Sequence, residues 1–129
     1  MLFRSCILSF LAVLFLGSGS AFAQQSFFCS ASYGGYCQYT GKISRLYVND
    51  GNFIIMYFEN SVDPAIISAA GISASVQDAG GYLITDNPIY AEYLYSTLIT
   101  AQASKRPVTI QFFGTTQGYL TLTKVWLAE

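Results

Sequence analysis

The sequence predicts one small, mainly β domain: five to six antiparallel strands closed into a barrel, with a single helix set among them. Two observations carry this. Short apolar runs recur from residue 39 onward, punctuated by turns rich in Gly, Asn and Asp. Only residues 87–104 have helical apolar spacing, so the alternation of strand and helix that parallel crossovers require is missing.

Residues 39–48 read as the first strand. Ile43 and Leu46 are three apart, whereas Leu46 and Val48 are two apart. Both sets face one core only if an extra residue intervenes, which predicts a bulge near Ser44-Arg45. Asn49-Asp50-Gly51-Asn52 is a turn, with Asp-Gly the strongest short hairpin dipeptide. Phe53–Phe58 returns as a strand that is apolar on both faces and so needs cover on both, from the helix on one side or from another subunit. Residues 61–81 predict a long hairpin: Asp63-Pro64 turns, residues 66–67 and 72–76 pair, and Ala79-Gly80-Gly81 turns into residues 82–84.

The helix over 87–104 has Asp86 or Asn87 as cap and Pro88 at or near its first position. Tyr90, Leu94, Leu98 and Ala101 form its buried stripe, widened by Ile89 and Tyr93. Lys105 and Arg106 suit the negative end of the helix dipole, a reading preferred to an anionic ligand, and Pro107 stops the helix. Residues 108–113 form a strand, 114–118 a turn, and Tyr119–Leu127 the last strand. This order fits a Greek-key barrel of the OB type; β-grasp and other α+β arrangements compete with it.

The ends and the charge set the setting. Residues 1–23 read as a cleaved secretory signal peptide: Arg4 is its positive end, residues 7–16 are apolar apart from Ser9, and Ala21-Phe22-Ala23 is the cleavage site. The run is too short to span a membrane. The domain is then residues 24–129, secreted or periplasmic. Without Arg4 it holds five basic and seven acidic residues, a net charge of −2. That argues against nucleic acid, which needs clustered Lys and Arg. All ten Tyr, six of the ten Phe and Trp126 remain, and with so few charges the surface must contain many Tyr, Thr, Ser, Asn and Gln.

Cys29 and Cys37 remain as a pair, and an oxidising compartment favours a bridge between them. A metal site on the two thiolates lacks further ligands, because the chain has no histidine. The same absence removes histidine-based nucleophilic catalysis and the commonest general base. The carboxylates Asp50, Glu59, Asp63, Asp78, Asp86, Glu92 and Glu129 have no spacing that suggests a glycosidase pair. The expectation is a non-enzyme without cofactor or metal.

Ile43-Ser44-Arg45-Leu46-Tyr47-Val48 resembles the first barrel strand of the B subunits of subtilase cytotoxin and typhoid toxin. Residues 89–110, through Ser104-Lys105-Arg106-Pro107-Val108-Thr109-Ile110, look like the helix-to-strand passage of that family. The resemblance implies an OB-fold subunit in a ring of five, binding sugar chains on host glycoproteins or glycolipids, with a separate A subunit carrying the toxic activity. The family's sugar contacts begin with a Ser ahead of the first strand. The matching place holds Tyr39, with Thr40 beside it.

The residues themselves also suggest a sugar site. Aromatic faces stack on sugar C–H surfaces and hydroxyls bind sugar hydroxyls, and Tyr33, Tyr36, Tyr39 and Thr40 cluster beside the Cys29–Cys37 pair. The competing reading is that these tyrosines cover strand surfaces and interfaces. Tyr47, Tyr57 and Tyr82 read as core or subunit interface. The alternative function is a stand-alone exported domain of the same fold with a structural or protein-binding role.

Overall fold

The computed structural model describes residues 24–128; the expected signal peptide, residues 1–23, lies outside them, as does Glu129. Seven strands and two α-helices follow one another as β1 (Ser26–Ser30), β2 (Tyr36–Gly41), β3 (Ile43–Asn49), β4 (Phe53–Phe58), α1 (Pro64–Ala69), β5 (Val76–Leu83), α2 (Pro88–Ser104), β6 (Val108–Thr116) and β7 (Tyr119–Leu127). Every strand joins one sheet, in the order β1-β2-β6-β7-β5-β4-β3. All neighbours run antiparallel except β5 and β7, which are parallel.

This corrects the predicted fold. The chain is a mixed α/β protein with an open seven-stranded sheet, whose ladder ends at β1 on one side and β3 on the other; it is not a closed five- to six-stranded antiparallel barrel of the OB type. Two misreadings account for the difference. Residues 26–30 are a strand that the disulfide joins to β2, rather than an irregular stapled segment. The expected hairpin over 61–81 is a short helix and one strand, β5, whose partners are the distant β7 and the nearer β4.

Although open in its hydrogen bonding, the sheet is strongly curled. Lys42 alone separates β2 from β3, yet these strands are second and last in the order. Tyr39 of β2 stacks on Phe58 of β4 with ring centroids 4.3 Å apart. A flat sheet would place strands four positions apart at about 19 Å. The inner face of the curl therefore packs on itself: Tyr39, Ile54, Met56, Phe58, Ile110, Phe112, Leu120 and Leu122 share one core. Phe112 lies 5.7 Å from Phe58 across it. Helix α2 closes the core with Ala91, Leu94, Leu98 and Ala101.

Local chemistry places these elements. Asp63 caps α1 by accepting the Ala65 N–H at 2.9 Å, and Asn87 caps α2 by accepting the Tyr90 N–H at 3.0 Å, each followed by Pro at the first helical position. At the other end of α2, Lys105 adopts φ 55°, and the Arg106 N–H reaches Ala101 O at 3.0 Å. The cap is thus made by the backbone. Asn49 Oδ1 accepts the Gly51 N–H at 2.9 Å in the β3–β4 turn. The β3–β4 register shifts between Ile43 and Arg45, where the spacing of apolar residues predicts a bulge, and Ser44 Oγ donates to Phe58 O at 2.7 Å. Ile89 and Tyr93 do not widen the buried stripe of α2; they are 70% and 68% exposed.

Ala79-Gly80-Gly81 is the middle of β5, not a turn. Its residues are small because both faces are crowded. A Cβ on Gly80 would overlap the Phe112 ring in the core, and one on Gly81 would overlap the Phe53 ring on the outer face.

Cys29 and Cys37 lie opposite each other in the β1–β2 ladder and are bonded. Reducing and alkylating the bridge is expected to lower stability by about 2.5 kcal/mol, the loop-entropy value for so short a loop, as read by urea denaturation. Oxidised protein that unfolds at the same urea concentration as the alkylated form would contradict this.

The Tyr39 hydroxyl is buried between two backbone groups, donating to Lys42 O and accepting the Glu59 N–H at 3.1 Å. Burial pushes its pKa up to about 12. A phenol raised in the folded state contributes stability fully present below the ordinary tyrosine value near 10. That contribution is lost as pH rises from about 10 through about 12. Tyr39→Phe should cost about 1–3 kcal/mol at neutral pH, because it orphans both backbone groups, and should flatten the stability loss between pH 10 and 12. Unchanged urea midpoints at both pH values would contradict it.

Candidate functional site

The outer face of the sheet is where side chains converge without being swallowed by the core. In β4, Ile54, Met56 and Phe58 face inward, so Phe53, Ile55 and Tyr57 face outward. Across the β3–β4 ladder, Arg45 lies opposite Tyr57 and Tyr47 opposite Ile55. On the other side of β4, Ala79 and Gly81 of β5 give a low floor. Over it the Phe53 ring meets Tyr119 of β7, with centroids 5.5 Å apart. The second face of β4 is thus partly covered by aromatic rings from its own sheet.

On this floor sits a cluster of three tyrosines and one arginine. Tyr47 and Tyr57 are near-parallel, 21° between planes and 6.3 Å between centroids. The Arg45 guanidinium carbon is 4.1 Å from the Tyr57 ring centroid and 6.0 Å from that of Tyr47, within cation–π range. The three hydroxyls act on one another, Tyr57 with both neighbours and Tyr47 with Tyr119. Burial raises the Tyr57 pKa, but hydrogen bonds from Tyr119 and Tyr47, with the charge and N–H groups of Arg45, outweigh it and bring the net value below the ordinary range. The donors move the opposite way: Tyr119 is pushed up to about 12, first by its hydrogen bond to Tyr57, and Tyr47 is raised for the same reason. Tyr57 is therefore the phenol whose ionised form the cluster favours.

Beside Arg45 a polar groove of ≈ 410 Å³ runs past Ser44, Tyr57 and Asn60 to Glu59 and Asp78. Asp78 is fixed by the Val62 N–H at 3.0 Å. Arg45 forms no ion pair among the described residues. The arrangement presents one cation, held flat by aromatic rings, beside hydroxyl donors. That combination binds and orients an anionic group. Among the described residues no three potential metal ligands gather, and no helix is long and apolar enough to cross a membrane.

The four residues expected to bind sugar do not form one site. Residues alternate between faces along β2, so Tyr39 shares the inner face with Cys37 and is fully buried. It offers no ring face to a ligand. Thr40 is on the outer face, where its hydroxyl bonds that of Thr109 at 3.0 Å. Tyr36 is half-buried, with its ring edge-on to Phe28 at 6.2 Å. Tyr33, in a short turn with φ 56°, is 89% exposed. Tyr33 and Tyr36 share a groove of ≈ 440 Å³ with Phe113 and Lys124, away from Tyr39. The period-two pattern running from Cys37 to Tyr39 was the available sign that Tyr39 faces the core. The Arg45–Tyr57 pairing had no such sign, because it depends on the bulge and the ladder register together.

The chain matches no family model, no curated protein and no solved structure. The resemblance to the toxin B subunits is thereby overturned, and the OB-fold ring of five and the attachment to host glycans drawn from it fall with it. The two stretches that carried it are a bulged edge strand and a capped helix running into a strand, local structures that do not define a family.

Ultraviolet titration of the phenols tests the cluster. One tyrosine should ionise below the ordinary range. Arg45→Met should raise that value, and Tyr57→Phe should abolish the early step and bring Tyr119 down from about 12. Titration curves identical in all three proteins would show that the four side chains do not interact.

Proposed function

We propose that this chain is an exported, non-catalytic binding domain that docks an acidic segment of a partner protein on the outer face of its sheet. The observation that carries this is the Arg45 guanidinium laid over the Tyr57 ring, with the Tyr47 and Tyr119 hydroxyls bonded beside it. Tyr and Arg are the residue types that dominate the binding energy of protein interfaces, since each offers a large flat surface and directional donors with little rotamer freedom to lose. The rings around Arg45 lower its hydration and fix its fork, so a carboxylate gains two N–H donors without reorganising the site. Glu59 and Asp78, which line the same groove, repel a second acidic residue placed beside them. Export is supported by the signal-like residues 1–23 and by the disulfide.

Titration with acetyl-Glu-Glu-amide, followed by NMR, tests this reading. Shifts should centre on the Arg45 side chain and the Tyr57 ring, with affinity of roughly millimolar order, about −4 kcal/mol for so small a probe. Added salt should weaken binding, and Arg45→Gln should remove it. Equal shifts with acetyl-Gln-Gln-amide, or shifts that map elsewhere, would overturn the proposal.

A further inference from the structure

The outer side of α2 has a composition that its own fold does not use. Ile89, Tyr93, Ser96, Thr100 and Ala103 follow one another at spacings of four, three, four and three, and all are exposed. That is the seam spacing of helices that pack along their length. Glu92 is the only charged residue between Pro88 and Ser104. Three hydroxyls of this helix are bonded to its own backbone: Thr97 donates to Tyr93 O at 2.9 Å, Thr100 to Ser96 O at 2.8 Å and Ser104 to Thr100 O at 2.7 Å. Covering the face therefore orphans none of these donors.

Apart from Glu92, the charges flanking α2 stand at its two ends, in opposite sign. Asp86 lies just before the cap of α2 and Arg106 just beyond its end, each ten residues from Ser96. We infer that this face pairs with the same face of a second copy, antiparallel, about a two-fold axis at Ser96. Asp86 of each copy then lies opposite Arg106 of the other, on both sides of the axis. Ile89 lies opposite Ala103, and Tyr93 opposite Ile99, so each large side chain meets a smaller or flexible one. Ser96 at the crossing lets the helices approach closely, since interaxial distance follows the size of the contact residues. The helix dipoles run antiparallel, which favours the same arrangement. One surface patch meets itself, the geometry of the commonest soluble oligomer. This face is separate from the Arg45 cluster, so the pairing stands or falls independently of the acidic ligand.

Sedimentation equilibrium over a concentration series, on the full exported chain, tests it. The mass should rise towards twice that of one chain. Ser96→Arg should hold it at one chain while circular dichroism and melting stay unchanged. Asp86→Arg should weaken pairing about tenfold, because two symmetric attractions become repulsions. The double change Asp86→Arg with Arg106→Asp should restore it, and Arg45→Gln should leave it untouched. A single-chain mass at every concentration would overturn the inference. So would a dimer that survives Ser96→Arg, or one that the double change fails to restore.

Discussion

Two adjacent glycines in β5 set what the rest of the sheet can do. Gly80 faces the core, overlain by Phe112 of β6 two strands away across the curl, and Gly81 faces out, overlain by Phe53 of the neighbouring β4. The space at Gly80 lets Phe112 and Leu122 fill the inside of the curl. The space at Gly81 lets Phe53 lie across the strand towards Tyr119. A side chain at either position would push apart two layers at once. The tight core and the aromatic outer cluster are therefore consequences of one missing pair of Cβ atoms, and both depend on the same stretch of backbone.

The near absence of charge has a structural counterpart in how hydroxyls are handled. Thr40 bonds Thr109, Thr116 bonds Thr121, and the α2 hydroxyls bond the turn before them. Such groups are polar in composition but do not require water, so a surface built from them tolerates being covered. Among the described residues no buried side-chain polar atom lacks a partner. Charges are instead placed at element ends and turns, where Asp50, Asp63, Asp86, Lys105 and Arg106 all lie. Apart from Arg45, Asp78 and Lys124 in the strands and Glu92 in α2, the strand faces and the length of that helix are left to rings, amides, hydroxyls and aliphatic chains.

What the sequence made legible was local. The Asn49–Asn52 turn, the two-faced β4, the bulge after Ile43 and the N-cap of α2 follow from spacing and from residues within a few positions of one another. What it hid was non-local. The parallel pairing of β5 with β7 joins segments about forty residues apart, and the small residues that make it possible look like a turn when read alone. Tyr119 reaches Tyr57 only through that pairing. The face of α2 was half legible: Leu94 and Leu98 face the core as their spacing predicts, but Ile89 and Tyr93 lie on the opposite side although equally apolar. An apolar residue states a preference for burial without naming the surface that will supply it.

The continuous run from β2 through Lys42 to β3 bears on the order in which the molecule can form. Its second half pairs with β4, a few residues away across a tight turn, whereas its first half pairs with β6, as in Thr40 bonding Thr109 some 69 residues on. The β3–β4 hairpin can close early, on a microsecond scale. The inner edge of β2 must wait until residues 108–116 have emerged and folded back, because a loop that long carries a large closure entropy. During folding the chain therefore passes through a stage in which a disulfide-joined pair of strands, β1 and β2, has one edge open and Tyr39 uncovered. That stage, rather than the finished fold, is when an open edge is most exposed to other chains.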